Sequence, residues 1–171
     1  ICTELKPEIR LTAHQSILFC NIKPEDKSRL EAIIKGNQLP LSEEISNVRR
    51  WSIACVALPT CSLAITEGER ALPSVIDDLE KELSTLGLEK ERFTVRMTGC
   101  PNGCARPYNA DIGLVGKAKG KYTLYVGGTR IGTRLAFIHK DLVPLEEIVP
   151  TLKPLLIAFK NHHQPDPSFG E

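Results

Sequence analysis

The sequence predicts an α+β domain, with an antiparallel or mixed sheet and helices packed against it. Three observations carry that prediction. Leu72, Val75, Ile76, Leu79, Leu83 and Leu86 recur at helical spacing, and Gly87 follows as a stop. The stretches 92–97, 110–115 and 121–126 read as strands, two of them alternating in polarity. Leu145, Ile148, Val149, Leu152, Leu155, Leu156 and Phe159 repeat the helical spacing near the end.

The elements follow in order. Residues 9–22 hold two short strand-like runs around a polar centre. Pro24 suits the first position of a helix, with Glu25 and Asp26 in its first turn. Leu30, Ile33 and Ile34 continue that helix and Gly36 ends it. This β-α piece is too small to bury both faces of its strands, so it is expected to belong to a larger sheet. Residues 37–50 form a connector. The long helix is expected from about Pro73, with Glu67, Glu69 and Arg70 at its beginning. The strands 92–97, 110–115 and 121–126 are expected to form one antiparallel segment, with a hairpin turn at Lys117–Gly120. Pro150 and Pro154 predict a kink in the last helix, or two short pieces. The polar tail from His162 is expected to run extended over the surface.

Composition excludes several classes. The chain has 171 residues, 22 basic and 21 acidic, so neither nucleic acid nor an anionic membrane is an expected partner. No apolar run is long enough to span a bilayer. The start carries no signal-peptide pattern and no initiator Met, so a fragment or processed product is expected. With one Trp, three Tyr and five Phe, the core must be mostly aliphatic.

Four of the six cysteines fall in two pairs. Cys55 and Cys61 enclose five residues, Cys100 and Cys104 enclose three, and the second pair sits in Thr98-Gly-Cys-Pro-Asn-Gly-Cys-Ala-Arg-Pro107. Without a secretory segment, clustered thiols point to metal or catalysis rather than disulfides. Spacing leaves an iron–sulfur cluster, structural zinc and independent cysteines open. The second pair suits zinc and the first does not; neither has the two-residue gap of a thioredoxin-type pair. The uncharged, largely apolar sequence around Cys55 and Cys61 favours a cluster over zinc. Gly99 and Gly103 allow tight turns that bring amides near sulfur. Cys20, in an apolar run, reads as a buried small hydrophobe.

These residues carry a resemblance. The loop Thr98–Tyr108 is similar to the C-terminal cluster motif of assimilatory sulfite reductases. Ala54-Cys-Val-Ala-Leu-Pro-Thr-Cys-Ser-Leu-Ala-Ile-Thr-Glu-Gly-Glu-Arg70 resembles the upstream motif of the same nitrite/sulfite reductase family, and Arg10–Ile22 resembles an earlier segment. The likeness is to the ferredoxin-dependent form and extends to the Ser-Phe-Gly tail. It implies a 4Fe-4S cluster held by Cys55, Cys61, Cys100 and Cys104. Cys104 would also be the proximal ligand of a sirohaem, and is thereby the catalytic cysteine. Asn102 would lie against the macrocycle as a cofactor-binding residue. The implied reaction is the six-electron reduction of sulfite to sulfide.

The resemblance implies further that ferredoxin donates the electrons and that the N-terminal half of the same enzyme completes the haem cavity. The compartment would be bacterial cytoplasm or plastid stroma. Residues 1–40 would end a ferredoxin-like half domain, and 41–171 would form the domain binding cluster and sirohaem. Ala105-Arg106-Pro107 favours sulfite over nitrite, the alternative substrate within the family. His14, Ser16 and Asn109 depart from the usual pattern. The family's Arg/Lys clamp for the substrate anion has no counterpart here, so the chain alone is expected to be inactive. A zinc-stapled interaction module is the alternative outside the family. Arg96 and Arg106 flank the loop, where each could balance cofactor charge or be an ordinary surface cation. For Arg130, Arg134, His139, His162, His163 and the lysines 117, 119 and 121, solvated surface roles are expected.

Overall fold

A computed structural model describes residues 1–129, 131–162, 169 and 170. Its contacts divide the chain into two compact units, Ile1–Ser46 and Asn47–Glu171.

In the first unit, β1 (Glu8–Leu11) and β2 (Ile17–Cys20) form an antiparallel hairpin with Glu8 opposite Cys20. Thr12 shapes its turn, its Oγ1 accepting from the amides of His14 and Ser16. A 3-10 turn opened by Pro24 runs into α1 (Lys27–Gly36). Two strands bury little, so Leu11 and Ile17 stay exposed. Cys20 is accordingly half-buried, not the buried hydrophobe expected.

The second unit is a five-stranded mixed sheet with two helices on one face. After α2 (Asn47–Arg50), the strands are β3 (Ser52–Ala54), β4 (Val95–Thr98), β5 (Ile112–Ala118), β6 (Lys121–Val126) and β7 (Phe137–Pro144), adjacent in that order. Val95, Met97, Ile112 and Leu114 face α3 (Leu72–Leu86) and α4 (Ile148–His162). With Leu79, Ile148, Leu152 and Leu156 they form a core with almost no exposure. Burying each such aliphatic side chain contributes about 1.5–3 kcal/mol. Arg49 on α2 forks onto α3, donating from Nε to Glu80 at 3.0 Å and from a terminal nitrogen to Asp77 at 2.5 Å.

Several expectations are corrected. The pairing of β4 with β5 is parallel, with Val95 opposite Ile112 and Thr98 opposite Val115. Parallel neighbours need a long crossover, and residues 99–111, which contain the second cysteine pair, provide it. β3 and β4 are also parallel; only β5–β6–β7 is antiparallel. The hairpin turn stands as expected, with Gly120 at φ 67°. Helix α3 ends at Gly87 (φ 72°) as expected, but begins at Leu72, with Pro73 in its first turn. Glu67, Glu69 and Arg70 therefore precede it. Helix α4 is one element with Pro154 inside it. Most of the tail, His163 included, lies outside the described residues. Phe169 is half-buried against the core, its ring meeting Phe93 and Phe159 edge-on at 5.3 and 5.5 Å.

Candidate cofactor centre

The cysteine loops sit where two parallel strands end together. Ala54 pairs with Met97, and the next amide, that of Cys55, donates to the Met97 carbonyl at 3.0 Å. Cys55 thus leaves β3 beside the point where β4 runs on to Cys100. The chain then turns back on itself. The Cys61 amide donates to the Ala57 carbonyl at 2.7 Å, and the amides of Ile65 and Thr66 donate to the Gly99 carbonyl at 2.8 and 3.1 Å. The first cysteine loop is therefore laced to the residue before Cys100, which places Cys55, Cys61 and Cys100 at one end of the sheet.

Gly99 is required by close approach. A Cβ there would lie 2.5 Å from both the Ala57 Cβ and the Thr66 carbonyl oxygen. Its amide donates to the Cys55 sulfur at 3.3 Å. Gly103 is required by conformation and space: its φ is +70°, and a Cβ would meet the Tyr108 ring at 2.9 Å. The Tyr108 hydroxyl closes the loop by donating to the Pro101 carbonyl at 2.9 Å, and its ring packs edge-on to Tyr125. Ala57 (φ 47°) and Arg106 (φ 58°), one in each loop, adopt the left-handed region that residues with a Cβ seldom occupy.

Cys100 is buried, Cys55 and Cys61 are half-buried and Cys104 is exposed; all are free thiols. Asn102 is exposed in the second loop. The apolar residues of the first loop do not enclose the sulfurs as expected. Ala54 and Ala57 are buried, but Val56, Leu63 and Ile65 are 46%, 68% and 42% exposed. Among the described residues, no three His, Cys, Asp or Glu side chains converge closely enough to hold a single metal ion. Cys55, Cys61 and Cys100 stand at this end of the sheet and Cys104 follows in the same crossover; sulfur donors of this kind, one already accepting an amide N–H, fit a larger multi-iron cluster.

Sequence reasoning missed the residues that shape this centre from beneath. Tyr122 is buried, and its hydroxyl donates to the Glu67 carbonyl at 2.9 Å. Thr66 Oγ1 accepts from the Gly120 amide at 3.0 Å. Burial, the leading influence, pushes the phenols of Tyr108 and Tyr122 above their ordinary range. The alternation of β6 could have singled out Tyr122; nothing local in the sequence marks Thr66. Arg134 lies in an exposed stretch but is held in place, donating from Nε to the Gly127 carbonyl at 2.8 Å and from a terminal nitrogen to the Gly170 carbonyl. Lys117 pairs with Asp141 at 3.8 Å. Arg130 lies outside the described residues.

Comparison with known proteins places this geometry. Residues 46–167 match the family described as the nitrite and sulphite reductase 4Fe-4S domain. A protein of Acidithiobacillus ferrooxidans named sulfite reductase [NADPH] hemoprotein beta-component is 46% identical over 164 residues, covering 96% of this chain and 29% of the relative. The protein of that name from Staphylococcus epidermidis is 44% identical over the same shares. The chain thus spans about 29% of the length of these curated relatives. The structure of the Mycobacterium tuberculosis NirA protein superposes with a TM-score of 0.81 at 22% identity, covering 98% of this chain and 33% of that one, and so shares the fold. This chain belongs to the nitrite and sulphite reductase 4Fe-4S domain family.

Proposed function

We propose that this chain is the cofactor-holding portion of a sulfite reductase and is inactive by itself. The observation that carries the reading is the lacing of both cysteine loops onto Gly99 at the ends of β3 and β4. Cys55, Cys61, Cys100 and Cys104 would hold a 4Fe-4S cluster, and Cys104 would also ligate sirohaem. Its exposure suits a thiolate shared with a group outside the cluster. When bound, the pair supplies stored electrons at a metal that can take sulfite. The chain's own part is to orient the thiolates, donate the Gly99 N–H to one of them, and keep water from the Cys100 side. Asn102 would contact the macrocycle. Sulfite is favoured over nitrite by Ala105-Arg106-Pro107.

The remainder of the enzyme would cover the exposed apolar side chains Val56, Leu63 and Ile65 and supply the cationic clamp for the substrate. The proposed division is into a half-domain end (1–40) and a cofactor domain (41–171); a two-part division is supported by the contact boundary, which falls six residues later, after Ser46. Ferredoxin is the proposed electron donor. The relatives' names point instead to an NADPH-fed system, and reduction assays with each donor separate the two. No helix among the described residues is long and apolar enough to cross a membrane. A reducing compartment, bacterial cytoplasm or plastid stroma, suits the free thiols.

The test uses the full-length enzyme purified without oxygen. Iron, sulfide and sirohaem content are measured for wild type, Cys55→Ser and Cys104→Ser. Cys55→Ser should lose chiefly the cluster, and Cys104→Ser should lose both groups. A colourless protein holding one zinc would overturn the reading in favour of a structural module. Full sirohaem and cluster content in Cys104→Ser would remove the bridging role.

A further inference from the structure

Arg96 lies in the middle of β4 and is 2% exposed. Val95 and Met97 face the helices, so Arg96 points to the opposite side of the sheet, under the crossover that carries Cys100 and Cys104. One terminal nitrogen donates to the Asn109 side-chain oxygen at 2.6 Å and to the Arg106 carbonyl at 3.2 Å. Both acceptors are uncharged. Its Nε is buried with no hydrogen-bond partner among the described residues. Burial, then the neighbouring Arg106 charge, pushes the guanidinium below its ordinary value, and Asp111 acts the other way as the smallest influence.

A buried cation with no ion pair among the described residues is expensive, and bracing a loop does not require one. A neutral donor could hold the Arg106 carbonyl and the Asn109 side chain. Arginine keeps its charge at any ordinary pH. Arg106 is two residues after Cys104, and two peptide units span at most about 7 Å. The donating nitrogen therefore lies within about 13 Å of the Cys104 backbone, and the low dielectric of a protein interior makes charges interact more strongly at such a separation than they would in water. Four thiolates around a cluster would make this the most anionic place in the domain.

We propose that Arg96 is a positioning residue that braces the Cys100–Cys104 crossover and whose buried charge favours the reduced, more anionic state of the cluster. This rests on the cluster assignment made above. Asn109 has its own part: it gives Arg96 a neutral acceptor, where a carboxylate would cancel the charge.

The experiment is a redox titration of the full-length enzyme, following the cluster by electron paramagnetic resonance. One electron passes from a reduced mediator dye to the cluster. Arg96→Gln and Asn109→Asp both remove the net charge, the second by pairing it. Each should lower the reduced-to-oxidised ratio at fixed potential at least tenfold, equivalent to about 59 mV for a one-electron couple. Arg96→Lys and Asn109→Ala keep the charge and should stay within about threefold of wild type on the same scale. Unchanged ratios in both charge-removing variants, or equal shifts in all four, overturn the proposal. If Arg96→Gln does not fold, Asn109→Asp decides, because it leaves Arg96 in place. A wild-type enzyme without a cluster would refute the cluster assignment itself, which separates the two failures.

Discussion

The Gly99 amide donates to the Cys55 sulfur at 3.3 Å, joining the two cysteine loops across 44 positions of sequence. The same residue offers its carbonyl to the amides of Ile65 and Thr66. One glycine thus holds the return of the first loop and the sulfur at its start.

Gly99→Ala should therefore damage both folding and the cofactor centre. Its Cβ would be driven against the Ala57 Cβ and the Thr66 carbonyl oxygen, each at 2.5 Å, and neither is the end of a flexible side chain. Overpacking of this sort costs about 1–3 kcal/mol. A lower urea midpoint with an unchanged slope is expected, together with reduced iron content per chain. Unchanged stability and iron content would show that the loops are not laced at this point.

The second loop allows a milder test. Tyr108→Phe keeps the ring over Gly103 and against Tyr125 but removes the hydrogen bond to the Pro101 carbonyl. Loss of one such bond costs about 0.5–1.5 kcal/mol. Gly103→Ala adds strain at φ +70° and a 2.9 Å contact with the same ring, and should cost more. Chemical denaturation of both variants should rank them in that order. The reverse ranking would mean that the hydroxyl, not the glycine, fixes the loop.

What was legible in the sequence, and what was not, follows from the range of the interactions. Helix α3 and its Gly87 stop were legible because spacing and capping are local. So was the β5–β6 hairpin, which one turn determines. The parallel pairing of β4 with β5 was not, because strand direction depends on the path of residues 99–111, whose glycines and prolines read only as a loop. β3 is three residues long, and β7 carries His139, Lys140 and Asp141 in its middle, so neither showed an apolar alternation. The two cysteine pairs stand out from type and spacing as a candidate site, and the proposed cluster rests on them. The burial of Arg96 was not, since arginine ordinarily reads as surface and its acceptors lie 10 and 13 positions away.

Tyr122 should make the fold sensitive to alkali. Burial foremost raises its phenol in the folded state, helped by Glu67 and Cys55, while the hydrogen bond with Thr66 acts the other way. A raised folded value means that the neutral phenol is preferred by the native state. Its stabilising share is fully present below the unfolded value of about 10 and is lost as pH rises from there through the folded value. Denaturation midpoints between neutral pH and about pH 11 should fall more steeply for wild type than for Tyr122→Phe. Parallel curves would mean that Tyr122 ionises as freely in the native state as in the unfolded one.

Asp111 is the most connected polar side chain behind the crossover, and its removal should be the most costly of these changes. Its Oδ2 accepts from the Thr94 amide at 2.8 Å and from the Thr94 hydroxyl at 2.5 Å, and its Oδ1 accepts from the Gly170 amide at 2.9 Å. It is 4% exposed, so water cannot replace it. Asp111→Ala strands three buried donors, and each unsatisfied group costs about 1–3 kcal/mol, so a loss of about 3 kcal/mol or more is expected. Asp111→Asn keeps the shape but turns an N–H toward one of those donors, and should lose less. Arg134 holds the Gly170 carbonyl from the other side. A chain ending at His162 would lose the Gly170 contact and the Phe169 ring while keeping both Thr94 bonds, and its midpoint should fall between those of wild type and Asp111→Ala. An Asp111→Ala variant as stable as wild type would show that the Thr94 and Gly170 donors do not depend on this carboxylate.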